Sequence, residues 1–156
     1  MSRIIKARTY LPIPSDPFVM PIPVKFELYH ANTLLSVYSV KDDKTVDYSY
    51  NANTDIPMLL PKDKHLSIGD IYYVIRSRVF PEDPFIAPAE LQRLGLETYN
   101  PYDIIKITYG IMPTDAYWIK TSDDNSTFDD AIAKYNKIMF DIQPPGPESE
   151  IEDFLG

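Results

Sequence analysis

Cysteine is absent from these 156 residues. That absence excludes disulfides, thiolate nucleophiles and Cys-ligated zinc, and it favours an intracellular setting. Glycine is almost as scarce: five residues, Gly69, Gly95, Gly110, Gly146 and Gly156, none in the G-x-G register that a phosphate-cradling loop requires. The two histidines, His30 and His65, have no second ligand at a spacing such as H-x-x-x-H, so no metal site is expected. No G-x-S-x-G elbow occurs, and no serine stands beside a recognisable base. No apolar run approaches the roughly 18 residues of a membrane span. The basic start "MSRIIKARTYLPIPSDP" is broken by Pro12, Pro14 and Pro17 before reaching signal-peptide length. These absences lead to the expectation of a cytoplasmic protein that is not an enzyme and uses no cofactor.

Aromatic residues, in contrast, are plentiful. Twelve Tyr, seven Phe and one Trp in a chain 44% hydrophobic suit a globular protein with a self-sufficient core. The net charge of −8 is unevenly spread. Residues 141–156 hold Asp141, Glu148, Glu150, Glu152 and Asp153 with no Lys or Arg, which leaves 18 acids against 15 bases elsewhere. No basic stripe remains to neutralise phosphates, so direct nucleic-acid binding is not expected. Prolines crowd "PIPSDPFVMPIP" (12–23) and "QPPGP" (143–147). Lacking a donor and with φ fixed, they exclude both runs from helix interiors and central strands. The chain therefore divides into a proline-rich extended segment (1–23), one folded domain (24–142) and a disordered acidic tail (143–156).

Alternation predicts strands at "VKFELYH" (24–30), "LLSVYSV" (34–40) and "TVDYSY" (45–50), joined as an antiparallel meander. Helices follow. Ser67 with Asp70 forms a capping-box pattern ahead of Ile68, Ile71, Tyr72 and Ile75. Pro88 and Gly95 bracket a short helix. Asn100 caps a third, with Pro101 first in the helix and Gly110 as the stop. "TDAYWIK" (114–120) returns to strand propensity. The last helix, "STFDDAIAKYNKIMF", is expected to be capped by Ser126, with Asp129 at its third position and Phe128, Ile132, Tyr135 and Met139 facing inward. The fold class is α+β. The carboxylate pairs Asp42–Asp43, Asp123–Asp124 and Asp129–Asp130 lie in turns or at a helix start, where Asp caps backbone.

Two groups of residues stand out. Asp115, Tyr117 and Trp118 sit behind the third helix, where Asp115 is placed to hold the turn at Pro113. Adjacent strand residues face opposite sides, so one aromatic enters the core and the other meets a second layer or a partner. In the tail, Ile151, Phe154 and Leu155 fall at i, i+3 and i+4 among Glu152 and Asp153. That spacing presents apolar anchors to a partner's groove, and the acids steer it toward a basic surface.

Over about residues 57–140 the chain resembles the N-terminal region of HipA-like serine/threonine kinases, toxins of bacterial toxin–antitoxin systems. The resemblance rests on "LLP" (59–61), "SRVFP" (77–81), "LGL" (94–96), "GIMPTDAYWIK" (110–120) and "KYN" (134–136). "PEDPF" lacks the family's second Arg after the proline, and "TDAYW" stands where the family has "NDSYW". The nucleotide-binding loop, the phosphorylatable Ser loop and the catalytic Asp–Asn motif have no counterpart, so kinase activity is not carried over. The resemblance implies a free-standing relative of a module that packs against the kinase core and the antitoxin. In split systems such a protein acts as the antitoxin. The expected function is a non-catalytic interaction module, an accessory or antitoxin-like partner of such a kinase. The alternatives are a phage or mobile-element inhibitor of a host protein, with its acidic tail posing as nucleic acid, and a structural or assembly protein.

Overall fold

A computed structural model describes residues 17–62, 65–121 and 124–140. Three strands, β1 (Val24–His30), β2 (Thr33–Val40) and β3 (Val46–Tyr50), form the antiparallel meander that alternation predicts. The fourth, β4 (Tyr117–Thr121), crosses back to pair antiparallel with β1, giving the order β3-β2-β1-β4. With helices α1 (Ile68–Arg76), α2 (Ala87–Leu94), α3 (Pro101–Thr108) and α4 (Phe128–Phe140), the fold is α+β.

Both faces of the sheet near β4 are covered. Phe26 and Leu28 on β1, Tyr38 and Val40 on β2 and Ile119 on β4 pack with Ile71 and Ile75 of α1 and Ile104 and Ile105 of α3. Trp118 points the other way, into a smaller cluster with Tyr109, Ile111, Ala131 and Tyr135. The period-2 alternation of a strand therefore feeds two cores from adjacent residues. Met20, upstream of β1, is buried in the larger core, with Phe18 and Ile22 against it. Asn100 Nδ2 ties this stretch to α3 by donating to the Val19 carbonyl at 3.1 Å.

The helix caps follow local chemistry, with two corrections. Ser67 and Asp70 form the reciprocal capping box, with Ser67 N 2.8 Å from Asp70 Oδ2. Asn100 Oδ1 accepts from Tyr102 N at 2.9 Å. Gly95 ends α2 in the left-handed region (φ 75°), where a side chain is disfavoured. However, α3 ends at Thr108 and its C-cap is Tyr109 rather than Gly110: Tyr109 itself takes the left-handed conformation (φ 60°), and Gly110 follows it there (φ 61°). The cap of α4 is Thr127 rather than Ser126. Asp130 N donates to Thr127 Oγ1 at 3.2 Å, and Thr127 N donates to Asp130 Oδ2 at 3.1 Å. Both S-x-x-D and T-x-x-D fit the local pattern; Ser126 is drawn instead into the interior, as described below.

Candidate functional site

The turn and strand at 110–120 are organised by a residue far away in sequence. Arg78 follows α1 and is 5% exposed. Its Nη1 and Nη2 donate to Asp115 Oδ2 and Oδ1 at 2.9 and 2.8 Å, the planar two-bond geometry of guanidinium on carboxylate. Nε donates to the Gly110 carbonyl at 2.9 Å, and Nη2 also reaches the Tyr117 carbonyl at 3.0 Å. The Arg78 hydrogen bonds, ahead of opposing desolvation, hold the Asp115 carboxyl below the usual carboxylate range.

This arrangement occupies part of the outer edge of the sheet at β4. On the side of β4 away from β1, Tyr117 N donates to Asp115 Oδ1 at 3.1 Å and the Tyr117 carbonyl accepts from Arg78. Ile119 N donates to the Tyr109 carbonyl at 2.8 Å. Backbone groups that would otherwise template another strand are thus satisfied within the chain.

Tyr117 and Trp118 divide between the two layers. Tyr117 lies half-buried against Arg78, crosses His30 edge-on at 4.9 Å and donates its hydroxyl to the Pro57 carbonyl at 2.6 Å. Trp118 is 1% exposed. Its ring stacks on Tyr29 at 4.8 Å, and its Nε1 donates to the Ala31 carbonyl at 2.8 Å. Ala31 has a positive φ of 51°, and its N–H is also held, by the Ala116 carbonyl at 2.9 Å. Trp118 and Ala116 together stabilise a β1–β2 turn whose backbone is unfavourable for alanine.

A polar cluster lies beside this layer. The hydroxyls of Tyr109 and Ser126 are 3.1 Å apart and buried, and Lys134 Nζ donates to them at 3.2 and 3.3 Å. The Tyr109 hydrogen bond raises the pKa of the Lys134 ammonium above its ordinary value. Asp124 Oδ1 accepts from Ser126 N at 2.7 Å. Burial pushes the Asp124 carboxyl up, but the Ser126 hydrogen bonds outweigh this and leave it lowered. Asp43 likewise accepts from Thr45 N and Oγ1. These carboxylates hold backbone. Among the described residues no group of three or more His, Asp or Glu is placed to hold a metal ion, and no helix is long and apolar enough to cross a membrane.

Among the described residues, large apolar side chains are left exposed at Val19, ahead of β1, at Tyr50, ending β3, just before α2 and at the end of α4. Phe85 is 92% exposed, Phe140 69% and Ile86 42%. Alongside runs a largely apolar cleft of ≈ 180 Å³, lined by residues including Phe80, Glu90, Ile111, Met112 and Met139. Arg93 bridges the two helices, its Nη1 donating to the Met139 carbonyl at 2.8 Å.

Of the residues singled out from sequence, Asp115, Tyr117 and Trp118 are brought together. Ile151, Glu152, Asp153, Phe154 and Leu155, with the rest of the tail, lie outside the described residues. Arg78 was legible only as part of "SRVFP", since nothing local couples it to a carboxylate 37 positions on. Phe85 carried a usable signal: "DPFIAP" places two large apolar residues in a proline-framed turn that belongs to no hydrophobic period. The chain matches no family model, no curated protein and no solved structure.

Proposed function

We propose that this protein is a non-catalytic, cytoplasmic protein–protein interaction module, an accessory or antitoxin-like partner of a HipA-type kinase. The observation that carries the reading is the exposed apolar surface of Phe85, Ile86 and Phe140 beside the cleft. Large apolar side chains left exposed on the surface are candidate contact points for a partner. Support for the family of the partner comes from the sequence resemblance alone. Its most specific stretch, "GIMPTDAYWIK", is also the one whose Asp115 is held at the β4 edge by Arg78. Phe85, Ile86 and Phe140 then serve as contact residues, while the outward backbone groups of Tyr117 and the Ile119 N–H on β4 are already bonded within the chain.

Co-expression tests this. The chain is expressed with a HipA-type kinase from the same genome, encoded next to it where the neighbourhood contains one. The expected result is a stoichiometric complex on gel filtration and relief of the kinase's growth arrest. Separate elution with growth arrest unchanged would overturn the reading.

A further inference from the structure

We propose that the basic start of this chain, residues 1–11 with Arg3, Lys6 and Arg8 beside Ile4 and Ile5, docks within the same molecule into an acidic-rimmed groove along α2. This goes beyond the reading of a kinase partner and does not depend on it. The groove is separate from the cleft beside Met139 and measures ≈ 330 Å³. Ala87, Pro88 and Leu91 of α2 form its apolar floor together with Tyr99, and Glu82 and Asp83 stand along it. Its walls are fixed. The Tyr99 hydroxyl donates to the Phe80 carbonyl at 2.6 Å and the two rings meet edge-on at 5.7 Å. Asp83 Oδ1 accepts from Phe85 N at 2.7 Å. Neither Glu82 nor Asp83 forms an ion pair among the described residues.

The acidity continues around the groove. Residues 79–103 hold Glu82, Asp83, Glu90, Glu97 and Asp103 against one base, Arg93, which lies 3.9 Å from Glu90. A ligand for such a surface brings cations and apolar bulk together. Arg and Lys do so in one side chain, laying the aliphatic stem on an apolar floor while the head meets carboxylates. The first fifteen residues have that chemistry, with three bases and no acid. Connectivity favours them over a separate chain. Pro17 is the first described residue, and the residues just after it are already held beside the groove. Asn100 Nδ2 donates to the Val19 carbonyl, and Asn100 is peptide-bonded to Tyr99. The Arg76 guanidinium lies 5.5 Å over the Phe18 ring. Burial raises the Tyr99 hydroxyl pKa, Arg76 opposes the rise and Glu82 adds to it, so charges beside Phe18 and on the groove both act on Tyr99. Arg8 stands eleven positions before Val19, a length of coil with a mean span of about 18 Å. Tethering at that range supplies an effective concentration of millimolar order, so individually weak surface contacts suffice.

The absence of cysteine allows a single nitroxide to be attached to the full chain at Ser2→Cys. Paramagnetic broadening of backbone amides then reports where the segment lies. The amides of Ala87, Leu91 and Tyr99 should broaden at low salt, and the effect should fall by roughly half or more at high salt. Reversing the three bases together (Arg3→Glu, Lys6→Glu, Arg8→Glu) should abolish it. Glu82→Lys, at an exposed position, should weaken it about twofold or more, and combining both sets of reversals should restore part of the loss. Unlabelled spectra that overlay the parent's away from the groove separate lost docking from lost folding, and the segment variant alone decides the matter if Glu82→Lys disturbs the fold. No broadening at these amides in the parent, or broadening unchanged by reversing the three bases, would overturn the proposal. So would equal broadening when spin-labelled, unenriched chain is mixed with unlabelled, isotope-enriched chain, which would place the segment on a second copy.

Discussion

Replacing Asp115 with Asn strips one charge from a guanidinium that folding has already taken out of water. Arg78 is 5% exposed and Asp115 29% at the side chain, so the pair is buried on one side only. Breaking a fully buried pair costs about 3–5 kcal/mol, because the remaining charge is uncompensated. Water reaching Asp115 screens part of that loss, and the Gly110 and Tyr117 carbonyls still accept from Arg78. The expected cost is therefore ~2–3 kcal/mol. For a domain of this size it corresponds to a fall in Tm of roughly 5–12 °C. The pH dependence has a definite sign. Because the folded carboxyl is depressed, its stabilisation is full above the unfolded pKa of about 4 and is lost as pH falls through the folded value. Parent and variant should therefore differ most near neutrality and converge in acid. Urea unfolding followed by the fluorescence of Trp118, the single tryptophan, reads both quantities at the affected layer. A variant within 0.5 kcal/mol of the parent at pH 7 (roughly the scatter of neutral surface substitutions), or an undiminished gap at low pH, would refute the electrostatic account of this turn.

Four further perturbations separate the remaining contacts. Trp118→Ala should cost on the order of 3–5 kcal/mol; melting within a degree or two of the parent together with lost binding would make Trp118 a binding residue instead. Gly110→Ala combines a positive φ with a Cβ that would stand 3.1 Å from Arg78 Cβ, so a loss of more than about 1 kcal/mol is expected, and unchanged unfolding would contradict that backbone geometry. Thr127→Ala should lower stability by about 1 kcal/mol through loss of the α4 cap. Ser126→Ala should instead act through its buried hydrogen bond with Tyr109, also by about 1 kcal/mol, and the double variant should show the two effects adding.

The parts of the fold legible in sequence are those set by neighbours in the chain. The β1 alternation, the Ser67–Asp70 box and Asn100 ahead of Pro101 each draw their stabilisation from within a few residues, so pattern alone locates them. Where two local solutions compete, distant contacts decide. Ser126 and Thr127 both suit a cap, and Ser126 is taken by Tyr109 and Lys134. Tyr109 occupies the left-handed position that Gly110 alone would seem to require, because its ring packs edge-on against Trp118 and its carbonyl is needed by Ile119. The Arg78–Asp115 pair was invisible for the same reason: its two halves come from different elements, and only the packing of α1 against α3 and β4 makes them meet. Phe85 is the converse case: its signal is local, two large apolar residues in the proline-framed "DPFIAP" outside any hydrophobic period, and the structure leaves it 92% exposed.

The proposed function requires that this chain bind a HipA-type kinase. Calorimetric titration of the purified full chain into that kinase, at low and at high salt and with a deletion of residues 144–156 in parallel, tests it most directly. The account predicts a one-to-one complex with the full chain, weaker binding by the deletion than by the parent, and a larger difference between them at low salt, where the acids of the tail are least screened. The absence of any heat of binding under both conditions, with kinase activity unaffected by excess chain, would contradict it.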